Sequence, residues 1–402
     1  MNQTTPKRRF LLLVLDGCGA GALPDAHEFG EEPGTASTLT HVAQSVGGLH
    51  LPNLQALGLG NVCDMQGVSP KSDAASATGR LAEISRGKDT VTGHWEMMGV
   101  HTSVAFPTYP NGFPPEVLAA FNAITGRGIL GNAPASGTEI IQRLGAEHLR
   151  TGNPIVYTSA DSVFQVAAHE DPAIFGLERL YAVCEATRKM LTPPHNFGRV
   201  IARPFVGDSA DNFKRTENRR DYPLVPPHDT VLDTLTQAGK HVHAVGKIGE
   251  IFGGRGVTTS DPTTNNPAHI AAILRALKGG GGDGDGANAD FLFANLEDFD
   301  MLYGHRNDPV GFARLLTEFD AAVGQFTALL HPGDLLAITA DHGNDPTTAS
   351  TDHSREYAPL LLWGDAITAP MPLGDRKNFG DWGATVCDYL GVPLPALGTS
   401  FL

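Results

Sequence analysis

Three short apolar runs in this chain each lead straight into acidic side chains. Phe10 to Leu15 precedes Asp16, Phe291 to Leu296 precedes Asp298 and Asp300, and Leu335 to Ala340 precedes Asp341 and His342. Runs this brief, bounded by polar residues, are too short for helices of their own and read as buried strands. In a mostly parallel sheet the strand ends share one edge, which is where ligands bind in open α/β folds. Asp341 and His342 would point to opposite faces of an extended backbone, so both serve one site only if the chain turns, and Gly343 and Asn344 supply the turn. Taken singly, each stretch has a plainer reading: Asp16 as a turn cap, Asp-His-Gly-Asn as a surface loop. Their recurrence at three strand ends argues for a shared site.

Histidines accompany the carboxylates. His305 follows Asp300 by five residues, close enough in a short turn to converge on one ion with Asp298 in support, and His353 lies in the turn-rich loop after His342. Asp16, Asp300, Asp341, His305, His342 and His353 make a mixed oxygen and nitrogen set that suits Mn²⁺, Zn²⁺ or Fe²⁺ better than Ca²⁺. Six ligands are too many for one ion that must also bind substrate. Two divalent ions against three carboxylates leave the site electrophilic, as phosphoryl transfer requires. Gly17, Gly19 and Gly21 do not have dinucleotide-binding spacing, because Ala22 stands where the pattern fails, and the loop Gly279 to Asp290 lacks the lysine of a phosphate-binding P-loop.

Lys88 to Gly99, KDTVTGHWEMMG, carries two threonines, a histidine, a tryptophan and a glutamate among glycines. A threonine hydroxyl becomes a nucleophile only beside a base or a metal ion, and Thr90 and Thr92 are both candidates. Alternatively they cap a helix beginning near Trp95 to Met98.

The 402 residues allow a large core and more than one domain. Acidic side chains outnumber basic ones 44 to 29, a net charge of −15, which disfavours a nucleic-acid partner. No apolar run approaches membrane-spanning length, and Met1 to Arg9 leads into a strand rather than a signal-peptide core. Four scattered cysteines fit a reducing, cytoplasmic setting. From His101 to about Pro227 prolines break the chain and short helical and strand-like pieces alternate, the texture of an inserted domain. The expected division is 1–102 and 227–402 as core and 103–226 as insert. Within it Thr138 is the expected cap of a helix carrying Ile140, Ile141, Leu144 and Leu149, and Ser159, Asp161 and Ser162 sit in a polar break. Arg199, Arg203, Lys214, Arg215, Arg219 and Arg220 form a basic island suited to phosphate or to salt bridges with the interleaved acids. In the resumed core, His241 to Gly246 reads as a strand delivering Lys247, and Val310 to Leu330 as an amphipathic helix.

In this order Asp16, Thr90 in KDTVTGHWE, Asp300 and His305 in DFDMLYGH, Asp341 and His342 in TADHGND and His353 in TDHSREY resemble the alkaline phosphatase superfamily. With ASGTEI, VYTSADSV and RVIARPFVG added, the chain is similar to the phosphopentomutases from about residue 8 to the final GTSFL. The resemblance implies an alkaline-phosphatase-like α/β core, with a mostly parallel sheet flanked by helices, interrupted by an α+β cap domain. It implies two Mn²⁺ ions, one held by Asp16, Asp341 and His342 and the other by Asp300, His305 and His353. Thr90, rather than Thr92, would carry the phosphoryl group between ribose 1-phosphate, with 2-deoxyribose 1-phosphate as a second substrate, and the 5-phosphate. A sugar 1,5-bisphosphate, or glucose 1,6-bisphosphate, would charge the enzyme, and Ser159, Asp161, Arg203, Arg219 and Lys247 would hold the substrate. A cytoplasmic monomer, bound to a small pentose phosphate and to neither nucleic acid nor membrane, is the expectation. A metal-dependent phosphatase, a metal-dependent phosphoglycerate mutase, or a non-catalytic binder of acidic sugars would share parts of this pattern.

Overall fold

The computed structural model describes residues 8–32, 34–159, 162–279 and 286–402. These fall into two compact units, one formed by 1–104 and 226–402 and the other by 105–225. Asp161, and residues 280–285 of the glycine-rich acidic loop, lie outside the described residues.

The larger unit is built on an eight-stranded sheet. Its order is Thr259–Asp261, Val242–Val245, Phe291–Leu296, Arg9–Leu15, Asp334–Thr339, Ala358–Trp363, Ala77–Leu81 and Met371–Arg376. The first five strands run parallel, and Ala358–Trp363 is antiparallel to both of its neighbours. The three strands that end in carboxylates are therefore adjacent, with Arg9–Leu15 in the middle. All their residues are buried, which explains why they read as near-continuous apolar runs rather than alternating ones. The charged residues at their starts are matched: Arg9 pairs in register with Asp334 and donates to its carboxylate at 2.9 and 2.5 Å, which fixes the register of the two strands.

Helices flank this sheet. Pro309–Leu329 buries Phe312, Leu315, Leu316, Phe319, Val323 and Phe326 and packs against Thr38–Ser45, Pro52–Ala56 and Asn266–Lys278, while Gly380–Leu390 packs against Thr90–Met97 and Val231–Gln237. Several boundaries differ from the sequence reading. The helix expected near Trp95 begins at Thr90, because Asp89 caps it. The strands Ala77–Leu81 and Met371–Arg376 lie in stretches whose glycines, prolines and charges masked any period-two pattern. Among the described residues no helix is long and apolar enough to cross a membrane.

The smaller unit carries a six-stranded mixed sheet, ordered Leu130–Pro134, Ile155–Thr158, Val163–His169, Arg199–Val206 and Lys214–Arg215, with Arg220–Pro223 also paired to Arg199–Val206. Alternation along Val163–His169 sends Phe164, Val166 and Ala168 into one apolar cluster and Ala167 into another. Helices Pro115–Thr125 and Leu177–Met190 cover the first cluster, and Gly137–Thr151 the second. Ser136, not Thr138, is the residue preceding that last helix, and Thr138 lies inside its first turn.

Candidate metal centre

Register pairs Leu15 with Leu296 and Val14 with Thr339, so the chains leaving these strands emerge side by side. Asp16, Asp341 and His342 are each at most 1% exposed, and one ligand atom from each lies within 4.8 Å of the others. His342 Nε2 is 3.3 Å from Asp16 Oδ1 and 3.5 Å from Asp341 Oδ2. Gly17 makes the turn after Asp16 at φ +75°, and its N–H donates to Asp341 Oδ1 at 3.1 Å. A Cβ there would meet Asn344 Cβ at 3.1 Å and Asp300 Cβ at 3.3 Å, so backbone conformation and space both call for glycine.

Asp300, His305 and His353 form a second group by the same criterion. A wide helical turn over Phe299–Tyr303, followed by a tight one over Gly304–Arg306, folds the first two together. His305 Nε2 is 3.2 Å from Asp300 Oδ2, His353 Nε2 is 3.3 Å from Asp300 Oδ1, and the two Nε2 atoms are 3.1 Å apart. Asp298 takes no part in this group; its carboxylate accepts from the Asn266 N–H at 2.7 Å and holds the start of a helix.

The donors suit a cation. Asp16 Oδ1 and Asp341 Oδ2 are buried and face only imidazole nitrogens, at 3.3 to 3.5 Å, so their negative charge needs a positive partner in the site. His305 Nδ1 faces the Thr351 carbonyl at 2.6 Å and His342 Nδ1 the Gly343 carbonyl at 3.1 Å, so in the neutral rings Nδ1 donates and Nε2 carries the lone pair. Burial, and then Asp341, raise the Asp16 carboxyl above its ordinary range. Burial opposes charge on His342, but Asp341 and Asp16 outweigh it and hold its imidazole well above the usual value. His305 is pushed up to about 9, chiefly by Asp300. Beside these carboxylates His305 and His342 are both held toward the protonated form.

Asparagines overlooked in the sequence complete the shell. Asn295 donates to Asp16 Oδ2 at 2.9 Å and Asn344 to Asp300 Oδ1 at 2.6 Å. Asn295 was hidden inside an apolar strand; Asn344 read only as a turn residue. His94, fully buried, lies with Nδ1 2.8 Å from the Thr90 carbonyl and 3.3 Å from Asp341 Oδ2, joining the helix of Thr90 to Asp341.

The two threonines differ sharply. Asp89 caps the helix Thr90–Met97 by accepting from the N–H groups of Val91 and Thr92, and the buried Thr92 hydroxyl lies 3.0 Å from both the carbonyl and the carboxylate of Asp89. Its chemistry is spent on the cap. Thr90 is half-buried, and its hydroxyl is 3.3 Å from His342 Nε2. At Gly93 a Cβ would sit 2.3 Å from the Asp341 carbonyl oxygen, so the glycine lets this helix approach the backbone of Asp341.

Lys247 follows the strand Val242–Val245 and pairs with Glu297 at 2.7 Å. Burial disfavours its charge, but Asp16 and Glu297 outweigh that and raise its pKa. In the smaller unit, Arg203 bonds Gln165 at 3.1 Å, and burial followed by the neighbouring Arg219 lowers its pKa. Arg219 forms a fork with Asp221 at 2.7 and 2.6 Å, and Arg220 stacks on Tyr181. Much of the basic island is thus engaged internally. Ser159 is half-buried at the end of Ile155–Thr158.

Paired carboxylate and imidazole groups at the edge of an α/β sheet define a metal-dependent enzyme, and residues 8–394 match the model of the Metalloenzyme superfamily. Phosphopentomutase of Symbiobacterium thermophilum is 54% identical over 395 residues, spanning 98% of each chain. Those of Herpetosiphon aurantiacus and Caldanaerobacter subterraneus are 49% and 50% identical, with 98% of this chain covered in both cases and 98% and 97% of theirs. The chain belongs to the phosphopentomutase family, a family of isomerases.

Proposed function

We propose that this enzyme interconverts ribose 1-phosphate and ribose 5-phosphate by passing a phosphoryl group through Thr90. The observation that carries the reading is the Thr90 hydroxyl at the first turn of its helix, 3.3 Å from His342 and not spent on the cap, while Thr92 is. Asp16, Asp341 and His342 would hold one Mn²⁺ and Asp300, His305 and His353 a second. Such ions lower the pKa of a hydroxyl and spread the charge of a transferring phosphoryl group.

Phosphorylated Thr90 gives its phosphoryl group to the free hydroxyl of the bound pentose monophosphate, breaking the bond from Oγ1 to phosphorus and forming a 1,5-bisphosphate. The Thr90 oxygen then takes the other phosphoryl group, releasing the isomer, and no water is consumed. A sugar 1,5-bisphosphate or glucose 1,6-bisphosphate charges Thr90 at the outset. Lys247, Ser159, Asp161, Arg203 and Arg219 are assigned to the sugar phosphate, the arginines for their fork geometry toward phosphate oxygens. Incubation of the Mn²⁺-loaded enzyme with ribose 1,5-bisphosphate should yield phosphothreonine at Thr90, detectable by peptide mass spectrometry. Retention of full interconversion by Thr90→Ala with its metal content intact would overturn the assignment.

A further inference from the structure

The loop that leads into Thr90 and the loop that carries His353 are fastened to each other by two cations, one from each. Lys88 Nζ donates to the His353 carbonyl at 2.7 Å. Arg355 Nη1 donates in return to the Gly87 carbonyl at 2.6 Å. Gly87 and Lys88 come just before the capping Asp89 and Thr90, and Arg355 comes two residues after His353. A bond from each loop therefore ends on the backbone of the other, beside the hydroxyl on one side and a ligand imidazole on the other.

The surroundings hold both cations in place. Arg355 is 1% exposed, donates to the Glu83 carboxylate at 2.7 Å and carbonyl at 2.6 Å, meets Asp25 at 3.0 and 3.2 Å, and lies over the ring of Phe29. The Glu31 carboxylate accepts from Lys88 at 3.0 Å and from the Arg355 N–H at 2.9 and 3.0 Å, so a single anion ties the two sides together. Asp352 lies 3.3 Å from Lys88 as well. A buried arginine with its donors fully engaged is a rigid strut, and breaking one partner of such a set is expensive.

We infer that Lys88 and Arg355 are positioning residues, a reciprocal clasp that sets the distance between the Thr90 hydroxyl and the ion site of His353. This rests on the reading of Thr90 as the phosphoryl carrier. Phosphoryl transfer depends on alignment, and misplacement by about 1 Å costs on the order of 100-fold in rate. Loosening the clasp should therefore lower turnover while leaving substrate affinity and ion content alone.

Lys88 is the better position to test, because it is partly exposed, whereas removing the buried Arg355 strands Glu83 and threatens folding. In the Mn²⁺-loaded full-length enzyme, Lys88→Met should cut kcat for pentose phosphate interconversion by about 10- to 100-fold, with KM within about two-fold of the parent. Bound manganese per chain and melting temperature should not move, and Lys88→Arg should recover most of the rate. Unchanged kcat in Lys88→Met overturns the clasp. So does a loss matched by a rise in KM, which marks direct substrate contact, or one matched by a lower melting temperature, which marks a merely structural role. Thr90→Ala is measured alongside: an inactive Thr90→Ala with a fully active Lys88→Met removes the clasp alone, whereas an active Thr90→Ala removes the phosphothreonine reading beneath it.

Discussion

The imidazoles of His342 and His353 lie with ring centroids 4.0 Å apart and planes tilted by 32°. One belongs to the group of Asp16 and Asp341, the other to the group of Asp300 and His305, so the two candidate ion sites share a wall of two rings. Asn344 and Gly17 reinforce the join, the first by donating to Asp300 and the second by fitting its turn between Asp300 and Asn344. Ions held in the two groups would be neighbours, and a hydroxyl beside His342 would be within reach of a field set by both.

Proton release should accompany metal uptake. His305 is pushed up to about 9 by Asp300, so near neutral pH and without an ion it carries a proton that a ligating Nε2 must lose. The sign follows: apparent affinity for Mn²⁺ rises as pH climbs towards about 9 and His305 loses its proton. Titration calorimetry of the metal-free protein in buffers of different ionisation enthalpy would count the protons. Uptake that released none at pH 7 would contradict this arrangement.

Thr90 and Thr92 should respond to the same substitution in opposite ways. Thr90→Ala removes the candidate carrier and should lower interconversion by at least about 1,000-fold with little change in stability, as loss of a covalent nucleophile does. Thr92→Ala breaks the capping box with Asp89 and should cost about 1 kcal/mol of stability. Its activity should survive at low temperature. Thermal melts and a coupled mutase assay on both variants separate the two roles, and equal losses of activity would refute the distinction.

How far the site was legible depended on what each residue does. Asp16, Asp300 and Asp341 stood out because acids recur after three apolar runs, with histidines close behind two of them, and the parallel register sets those strands side by side. The start of the helix at Thr90 was missed because Asp89 caps it through a contact between two polar residues, within a stretch lacking an apolar stripe. The roles of Asn295 and His94 were hidden for a different reason. Each is a polar side chain buried in a core element, and only the three-dimensional contact with Asp16 or Asp341 gives it a purpose. Asp298, next to the right strand and of the right type, turned out to cap a helix, since residue type at a strand end does not say which way a side chain turns.

Close approach of the Thr90 helix to the backbone of Asp341 gives a third expectation. At Gly93 any Cβ meets the Asp341 carbonyl oxygen at 2.3 Å, backbone that cannot move without shifting a candidate metal ligand. Gly93→Ala gains helix propensity of about 1 kcal/mol locally, yet the clash should cost more, typically 1–3 kcal/mol of overpacking. The variant should melt lower and bind Mn²⁺ more weakly. A stabilised Gly93→Ala with full metal content would show that the helix has room to move.

Acid should unfold the larger unit partly through His269. This imidazole is fully buried on the helix Asn266–Lys278, 2.6 Å from the Thr263 hydroxyl. Burial, and then the charge of Lys247, lower it from 6.5 to about 4. A histidine with a depressed folded-state pKa binds its proton more readily when unfolded. Its contribution is therefore absent above the unfolded value and appears as a loss of stability while pH falls from about 6.5 towards about 4. A shift of this size corresponds to on the order of 3 kcal/mol across the window. His269→Gln, which cannot take up the proton, should flatten that part of the profile while lowering stability at neutral pH through the altered contact with Thr263. Urea unfolding at pH 7.5 and pH 5 on the parent and the variant measures the difference. If both lose stability equally between those values, the proton goes elsewhere.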